Sequence, residues 1–373
     1  MRTDLKDYLP LPLESAAPTP KPFPLWSFKD FEAYKPPEDY DILGSGLLCR
    51  RELAVLVGIG GVGKSRLVMA LAIAQIVGRT QFLGFALHVP PLRWLVVGSE
   101  NSAVRWKTDF GKLTANLDDA QRAAVQNQLL VAATFEDEDP TLTLDVASGR
   151  IEETIKAARP DVVVFDPWAD LCPGDENTTP DCRAGIVLLR RCVRRTAPNA
   201  ATLLIAHARP GKTAISEGTD AYSGGAYLRG NKALANSARS MFALVPGDAE
   251  DFNRLVLVCI KANNAPRFAP RGVRFDPNSF EYTEDPTFDI AGWRDDVDGI
   301  RGRKLVTLRD VCAAVRSGNR TTESIVGALS DVASERTIKG RLQEALRKGY
   351  LTRVAKGLYA LGNKFDNGQD PLP

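Results

Sequence analysis

The segment Gly58-Ile59-Gly60-Gly61-Val62-Gly63-Lys64-Ser65 sets a run of glycines before a lysine and a hydroxyl at a spacing suited to phosphate. Glycines let backbone N–H groups close around phosphoryl oxygens, the lysine ammonium reaches the β- and γ-phosphates, and the serine hydroxyl can ligate Mg²⁺. Gly58, Gly60, Gly61, Val62, Gly63, Lys64, Ser65 and Arg66 are therefore expected to bind ATP together with Mg²⁺. Three further groups stand at the ends of apolar runs. Glu100 follows Arg93-Trp94-Leu95-Val96-Val97-Gly98-Ser99, and two roles fit it: a base that orients water for attack on the γ-phosphate, or an acidic residue that helps to start the next helix. Asp166 closes Val162-Val163-Val164-Phe165 and is expected to hold hydrated Mg²⁺ opposite Ser65. His207 closes Ala201–Ala206; it is either a structural imidazole or a group that touches the γ-phosphate, and Lys212 and the Gly/Ser-rich loop that follow it favour the second.

These groups can act together only if the runs that carry them lie side by side as strands. Leu53–Val57, with Ala54–Val57 as its strand core, precedes the glycine loop, and Leu67, Ala70, Leu71 and Ala74 after it have helical spacing. Further strands are expected at Trp94–Gly98, Leu129–Ala133, Val162–Asp166, Leu203–Ala206, Ser240–Val245 and Leu255–Lys261, with a helix over Ile151–Arg159. Strands alternating with helices predict an α/β fold: one doubly wound, mainly parallel sheet with an antiparallel tail. The expected organisation is a proline-rich arm over 1–37, an ATPase domain over 38–290, a linker over 291–303, a small α+β domain over 304–362 and a tail over 363–373.

Composition restricts the function classes. Hydrophobic residues make up 44% and charged residues 25%, ordinary for a globular chain, and no apolar run is long enough to span a bilayer. The N-terminus has no secretory apolar core, which points to the cytoplasm and away from membranes. The six cysteines form no CxxC pair and are joined by only two histidines, so neither a zinc site nor a disulfide framework is expected. The net charge of +2 conceals an asymmetry: residues 301–362 carry 13 Lys/Arg against 5 Asp/Glu, a local +8, and the remainder is −6. Such a basic module suits a polyanion or is simply a solvated surface.

Within that module three helices are expected from Leu305, Leu308, Val311, Cys312 and Val315, from Ile325, Leu329 and Val332, and from Ile338, Leu342, Ala345 and Leu346. Ser334 is expected to cap the third and Gly349 to stop it. A hairpin over Tyr350–Val354 and Leu358–Leu361 completes a pattern that resembles a winged helix. Arg336, Lys339, Gln343 and Arg347 would face a major groove, with Arg353 or Lys356 on phosphate; docking of a protein is the other use of such a module.

The ordered set Gly58–Ser65, Glu100, Asp166, His207, Leu228-Arg229-Gly230-Asn231-Lys232-Ala233-Leu234, Ala238-Arg239 and Lys261 resembles the RecA-like ATPases of the RepA type over roughly residues 25–285. Those are ring-forming replicative helicases of plasmids and phages, related to the DnaB and KaiC groups. The resemblance implies a RecA-like P-loop core, Glu100 as catalytic carboxylate and His207 as the link from γ-phosphate to nucleic-acid loops. It also implies a homo-oligomer, a hexamer in such rings, in which Arg229 reaches a neighbouring subunit's nucleotide. Relatives carry Lys-x-Arg on a late strand where this chain has Lys261-Ala262-Asn263, so Arg267 is a second candidate. The loops Trp168–Asp181 and Ala208–Gly225 would face the channel, and the second, with Arg209, Lys212 and Tyr222, would hold single-stranded DNA. Duplex DNA at the C-terminal module completes the expected partners. A DNA-binding regulatory or loading ATPase that does not unwind, and a nucleotide-gated scaffold without nucleic acid, are the alternative functions.

Overall fold

The structure is a computed structural model that describes residues 23–88, 90–132, 134–136, 139, 141–208, 232–248, 251–293, 306–331, 335–355, 357–362 and 364. Arg209, Lys212, Tyr222, Arg229, Val332, Ser334 and Lys356, the arm up to residue 22, most of the expected linker and nearly all of the tail lie outside the described residues, as does the side chain of Arg336.

The chain divides into two compact units, up to Tyr40 and from Asp41 onward. The first contains the short helix α1 (Phe28–Ala33), started by a capping box between Ser27 and Asp30.

The second unit begins with a ribbon, β1 (Asp41–Leu43) and β2 (Leu48–Cys49), then β3 (Leu53–Gly58) and α2 (Lys64–Ile76). A second ribbon, β4 (Gln81–Phe82) and β5 (Phe85–Ala86), leads to β6 (Trp94–Gly98), α3 (Ala103–Leu113), α4 (Asp119–Gln128) and β7 (Leu129–Val131). There follow α5 (Leu144–Ala158), β8 (Val162–Asp166), α6 (Trp168–Leu171), α7 (Thr179–Thr196) and β9 (Ala201–His207). After α8 (Lys232–Ser237) come β10 (Ser240–Pro246), β11 (Arg254–Ala262), β12 (Arg271–Phe275) and β13 (Tyr282–Glu284). All seven expected strands are present, each within about two residues of its expected ends.

Nine strands form the main sheet in the order β13-β12-β11-β10-β3-β9-β8-β6-β7. From β10 to β7 every neighbour is parallel, and β11, β12 and β13 extend the other edge antiparallel. The parallel strands are apolar at nearly every position because both faces are covered. Val55, Val57, Val163, Phe165 and Leu204 pack toward α5 and α7, while the alternate residues Ala54, Leu56, Val162, Val164 and Leu203 pack toward α2 and α4. Buried on most of its circumference, α2 has no polar stripe. Its Gln75 is fully buried and fully used: Nε2 donates to the carbonyls of His88 and Pro90, and Oε1 accepts from Leu92 N and Trp94 Nε1. That amide ties the end of α2 to the start of β6.

Near the C-terminus, α9 (Leu308–Arg316), α10 (Thr322–Leu329) and α11 (Glu335–Arg347) precede a hairpin of β14 (Leu351–Ala355) and β15 (Leu358–Leu361). Capping boxes at Thr307 and Thr321 start the first two helices, and Gly349, at φ 77°, follows the third in the left-handed region that glycine tolerates. Val311, Cys312, Ile325, Ile338, Leu342, Ala345 and Leu351 form a core of their own. A single bridge from Thr321 to Leu358 joins the start of α10 to the hairpin.

Candidate active site

Parallel register brings the chemistry to one edge of the sheet. Gly58 on β3 pairs with His207 on β9, and Gly98 on β6 pairs with Asp166 on β8, so the C-terminal ends of four adjacent strands carry the loop, the imidazole, the buried carboxylate and the approach to Glu100. Crevices at this end are where open parallel sheets bind ligands. Gly98 must be glycine, because a Cβ there would collide with the carbonyl oxygen of Asp166.

The loop owes its shape to glycine backbone conformations and a close fit against Tyr282. Gly61 and Gly63 sit at φ 78° and 93°, conformations that L side chains avoid. A Cβ on Gly63 would lie 2.5 Å from Tyr282 Oη, and that hydroxyl donates to the Gly63 carbonyl at 2.9 Å. Above Gly60 and Gly61 a Cβ would meet nothing within 4 Å, which leaves the backbone open on the side a phosphate approaches. The first-turn N–H groups of α2 have no acceptor within the helix and complete an anion cradle. Lys64 Nζ donates to the carbonyls of Gly58 and Ile59 at 3.0 and 2.9 Å, within the loop it serves. Burial lowers the Lys64 pKa, while Asp166 and Glu100 act to keep the ammonium charged.

Asp166 is 4% exposed. Burial pushes its carboxyl up to about 6 against a hydrogen bond from Ser65, which favours the ionised form; nearby Glu100 raises it further, and Lys64 and His207 oppose the rise. A buried carboxylate whose ionisation is costly, set beside a hydroxyl, is an oxygen donor pair suited to a hard divalent cation. Ser65 and Asp166 would hold Mg²⁺. Among the described residues no group of three His, Cys, Asp or Glu side chains could hold a metal. A donor set of one carboxylate and one hydroxyl fits an ion that keeps waters and takes substrate phosphates as its other ligands, as magnesium does.

Glu100 Oε1 lies 3.2 Å from His207 Nε2, so the carboxylate bridges from β6, past β8, to β9. The helix-start role belongs to another residue: Ser102 caps α3, its side chain accepting from Arg105 N. Arg66 departs from its expected place at the nucleotide. Its guanidinium turns to Asp109 at 3.2 Å and stacks 4.3 Å from the centre of the Phe280 ring, leaving only its backbone N–H to the cradle. Lys261 Nζ donates to the carbonyls of Ala235 and Asn236 and so caps α8. Tyr282 is the site residue that sequence reasoning missed, and no spacing from the loop could have flagged it.

A glycine-lysine-serine loop, a buried strand-end Asp and a strand-end Glu on a parallel sheet, with one strand between the loop strand and the Asp strand, define a RecA-like P-loop ATPase. A family model described as an AAA domain matches residues 17–212, more than half of the chain, and the chain belongs to that family. Among solved structures it is similar to a KaiC-like protein of the hyperthermophilic archaeon Pyrococcus horikoshii OT3, at 13% identity and a TM-score of 0.44, over 66% of this chain and 100% of that one. No curated protein matches. Among the described residues no helix is long and apolar enough to cross a membrane.

Proposed function

We propose that this chain is an ATP-driven DNA helicase or translocase of the RepA type that works as a homo-oligomeric ring, a hexamer, in replication of a plasmid, phage or other mobile element. The observation that carries the reading is the contact between Glu100 and His207: the carboxylate suited to activating water touches the imidazole from which the chain runs into the expected DNA loop. In hydrolysis Glu100 takes the proton of a water attacking the γ-phosphate, and the electron pair of the broken P–O bond leaves with ADP. Lys64 and the loop N–H groups offset the charge on the phosphoryl oxygens. Mg²⁺ on Ser65 and Asp166 adds further neutralisation when bound. Loss of the γ-phosphate alters what His207 and Glu100 face, and that change passes into the segment after Ala208. Arg229 is proposed as the arginine that reaches a neighbouring subunit's nucleotide.

The C-terminal module, with its +8 charge, is proposed as a duplex-binding winged helix. Lys339 is already paired with Glu335 at 2.5 Å, and Arg341 and Lys348 both pair with Glu344. Of the expected contact residues whose side chains are described, Gln343, Arg347 and Arg353 are exposed and free of an ion pair, suited to phosphate and base edges. The deciding experiment measures ATP turnover with and without single-stranded DNA, and strand displacement, on protein of measured oligomeric state. DNA-stimulated turnover with displacement is expected. Stimulation without displacement selects the regulatory or loading ATPase, and DNA-indifferent turnover removes DNA from the function.

A further inference from the structure

The N-terminal ends of the same strands hold a second cluster of charge that the ATPase reading does not use. Arg51 and Glu52 precede β3, Arg239 precedes β10, and Arg190 and Arg194 come from α7. Together they line a cavity of about 220 Å³. A neighbouring cavity of about 320 Å³ shares Arg190 and Arg239 and adds Arg183. Spacings of seven and four residues put Arg183, Arg190 and Arg194 on one face of α7, over about 16 Å of helix. β3 is six residues long, so this cleft lies roughly 20 Å from the ATP loop.

Among the described residues Glu52 is the one carboxylate lining either cavity, and it is paired with Arg239 at 3.4 Å. Arg51 is held by the side-chain oxygen of Asn199 and Arg190 by the carbonyl of Ser237, both neutral acceptors. Arg183 and Arg194 have no ion pair among the described residues. Arg195, next in the chain, points elsewhere, to Glu152. Arg190 is exposed, yet partial burial and the neighbouring Arg194 and Arg239 act to lower its pKa against Glu52, the mark of like charges held close. Arginine does not relieve such crowding by losing its proton; a bound anion does. The planar forks favour oxygens of a phosphoryl group, and the length of the arginine row exceeds a single phosphate.

We propose that this cleft receives a polyphosphate anion, at a site separate from the Lys64 loop. The anion is either free in solution or the phosphate chain of a nucleotide presented by a second copy of the chain; the chemistry that Arg51, Arg190, Arg194 and Arg239 recognise is the same.

Inorganic tripolyphosphate, titrated calorimetrically into the full-length Lys64→Ala protein, tests it. Saturable binding near one per chain is expected, weakening with salt, and Arg190→Gln with Arg194→Gln on that background should weaken it at least tenfold. Arg194→Glu alone, with a circular dichroism melt to verify folding, separates loss of the site from loss of the fold, since Arg194 makes no ion pair among the described residues. On the Lys64→Ala protein the affinity should not depend on chain concentration; on the ATP-loaded parent, tripolyphosphate binding that is lost as chain concentration rises assigns the cleft to the second copy's nucleotide, and binding that persists assigns the free anion. Unchanged binding in the folded arginine variants overturns the proposal, as does tripolyphosphate binding that vanishes with Lys64→Ala alone. Displacement of tripolyphosphate by a single-stranded oligonucleotide that binds the cleft more tightly also overturns it, in favour of a nucleic-acid surface.

Discussion

At the C-terminal edge of the parallel strands Lys64 faces Asp166 and Glu100, and Glu100 touches His207, whereas at the N-terminal edge Arg51, Arg190, Arg194 and Arg239 face, among the described residues, a single carboxylate, Glu52. The first edge sets an ammonium, two carboxylates and an imidazole together, one of the carboxylates, Asp166, being suited to ligate a metal. The second is built from guanidinium groups that stay charged at any pH the fold survives. Mixed, titratable charge suits a place where protons and phosphoryl groups move; fixed charge of one sign suits holding an anion still. One sheet supplies both because strand ends collect loops from distant parts of the chain, and each edge collects a different set.

The contrast can be broken most forcefully at the loop. Lys64→Ala is expected to weaken ATP binding by about 100-fold or more, equivalent to about 2.7 kcal/mol, in an equilibrium titration. ATP binding that survives this change would move the nucleotide away from the C-terminal edge. Glu100→Gln should leave nucleotide affinity within a few-fold of the parent while turnover falls by about 10²–10⁴-fold, because only the proton transfer needs the carboxylate. Equal losses of binding and turnover would make Glu100 part of the cradle instead of the base.

Asp166 sharpens the comparison through pH. Its folded pKa of about 6 lies above the ordinary 3.8, so between those values the folded chain keeps a proton that the unfolded chain releases. Stability from this group therefore falls as pH rises from about 4 to 6, and the cost is fully present above 6. Asp166→Asn should gain on the order of 3 kcal/mol over the parent at pH 7 and nothing near pH 3, read from thermal melts without nucleotide, while losing Mg²⁺-dependent turnover. A variant less stable than the parent at pH 7 would show that the Ser65 bond and Lys64 outweigh burial. The smallest effect is expected from Tyr282→Phe, which removes only the hydrogen bond to Gly63. Nucleotide affinity should drop about fivefold, about 1 kcal/mol, with the melting temperature little changed. No change in affinity would reduce Tyr282 to packing.

The central strands were legible because burial on both faces makes them unbroken apolar runs, and the strand-end positions of Asp166, Glu100 and His207 followed from them. Between the two roles open to Glu100 the sequence offered no choice, since the cap at Ser102 and the contact to His207 are facts of three dimensions. The side chain of Arg66 was not legible for a related reason: adjacency to Ser65 suggests phosphate, whereas Asp109, 43 residues on, holds the guanidinium and leaves the backbone N–H to the cradle. The ribbons β1–β2 and β4–β5 are too short to carry a period. The arginine cleft was invisible because Arg51, Arg190 and Arg239 belong to three unrelated segments whose proximity only the strand order creates.

The hydrogen bond from Tyr282 to Gly63 spans 219 residues of chain. On a translating ribosome the glycine loop emerges early, yet the residue that clamps its carbonyl follows only after a further roughly 10–45 s of synthesis. During that interval α2 can form and pack while the loop at its head lacks its final shape. Until the antiparallel strands have been made, the nascent loop lacks this clamp, and its hold on ATP is expected to be about fivefold weaker than that of the finished sheet.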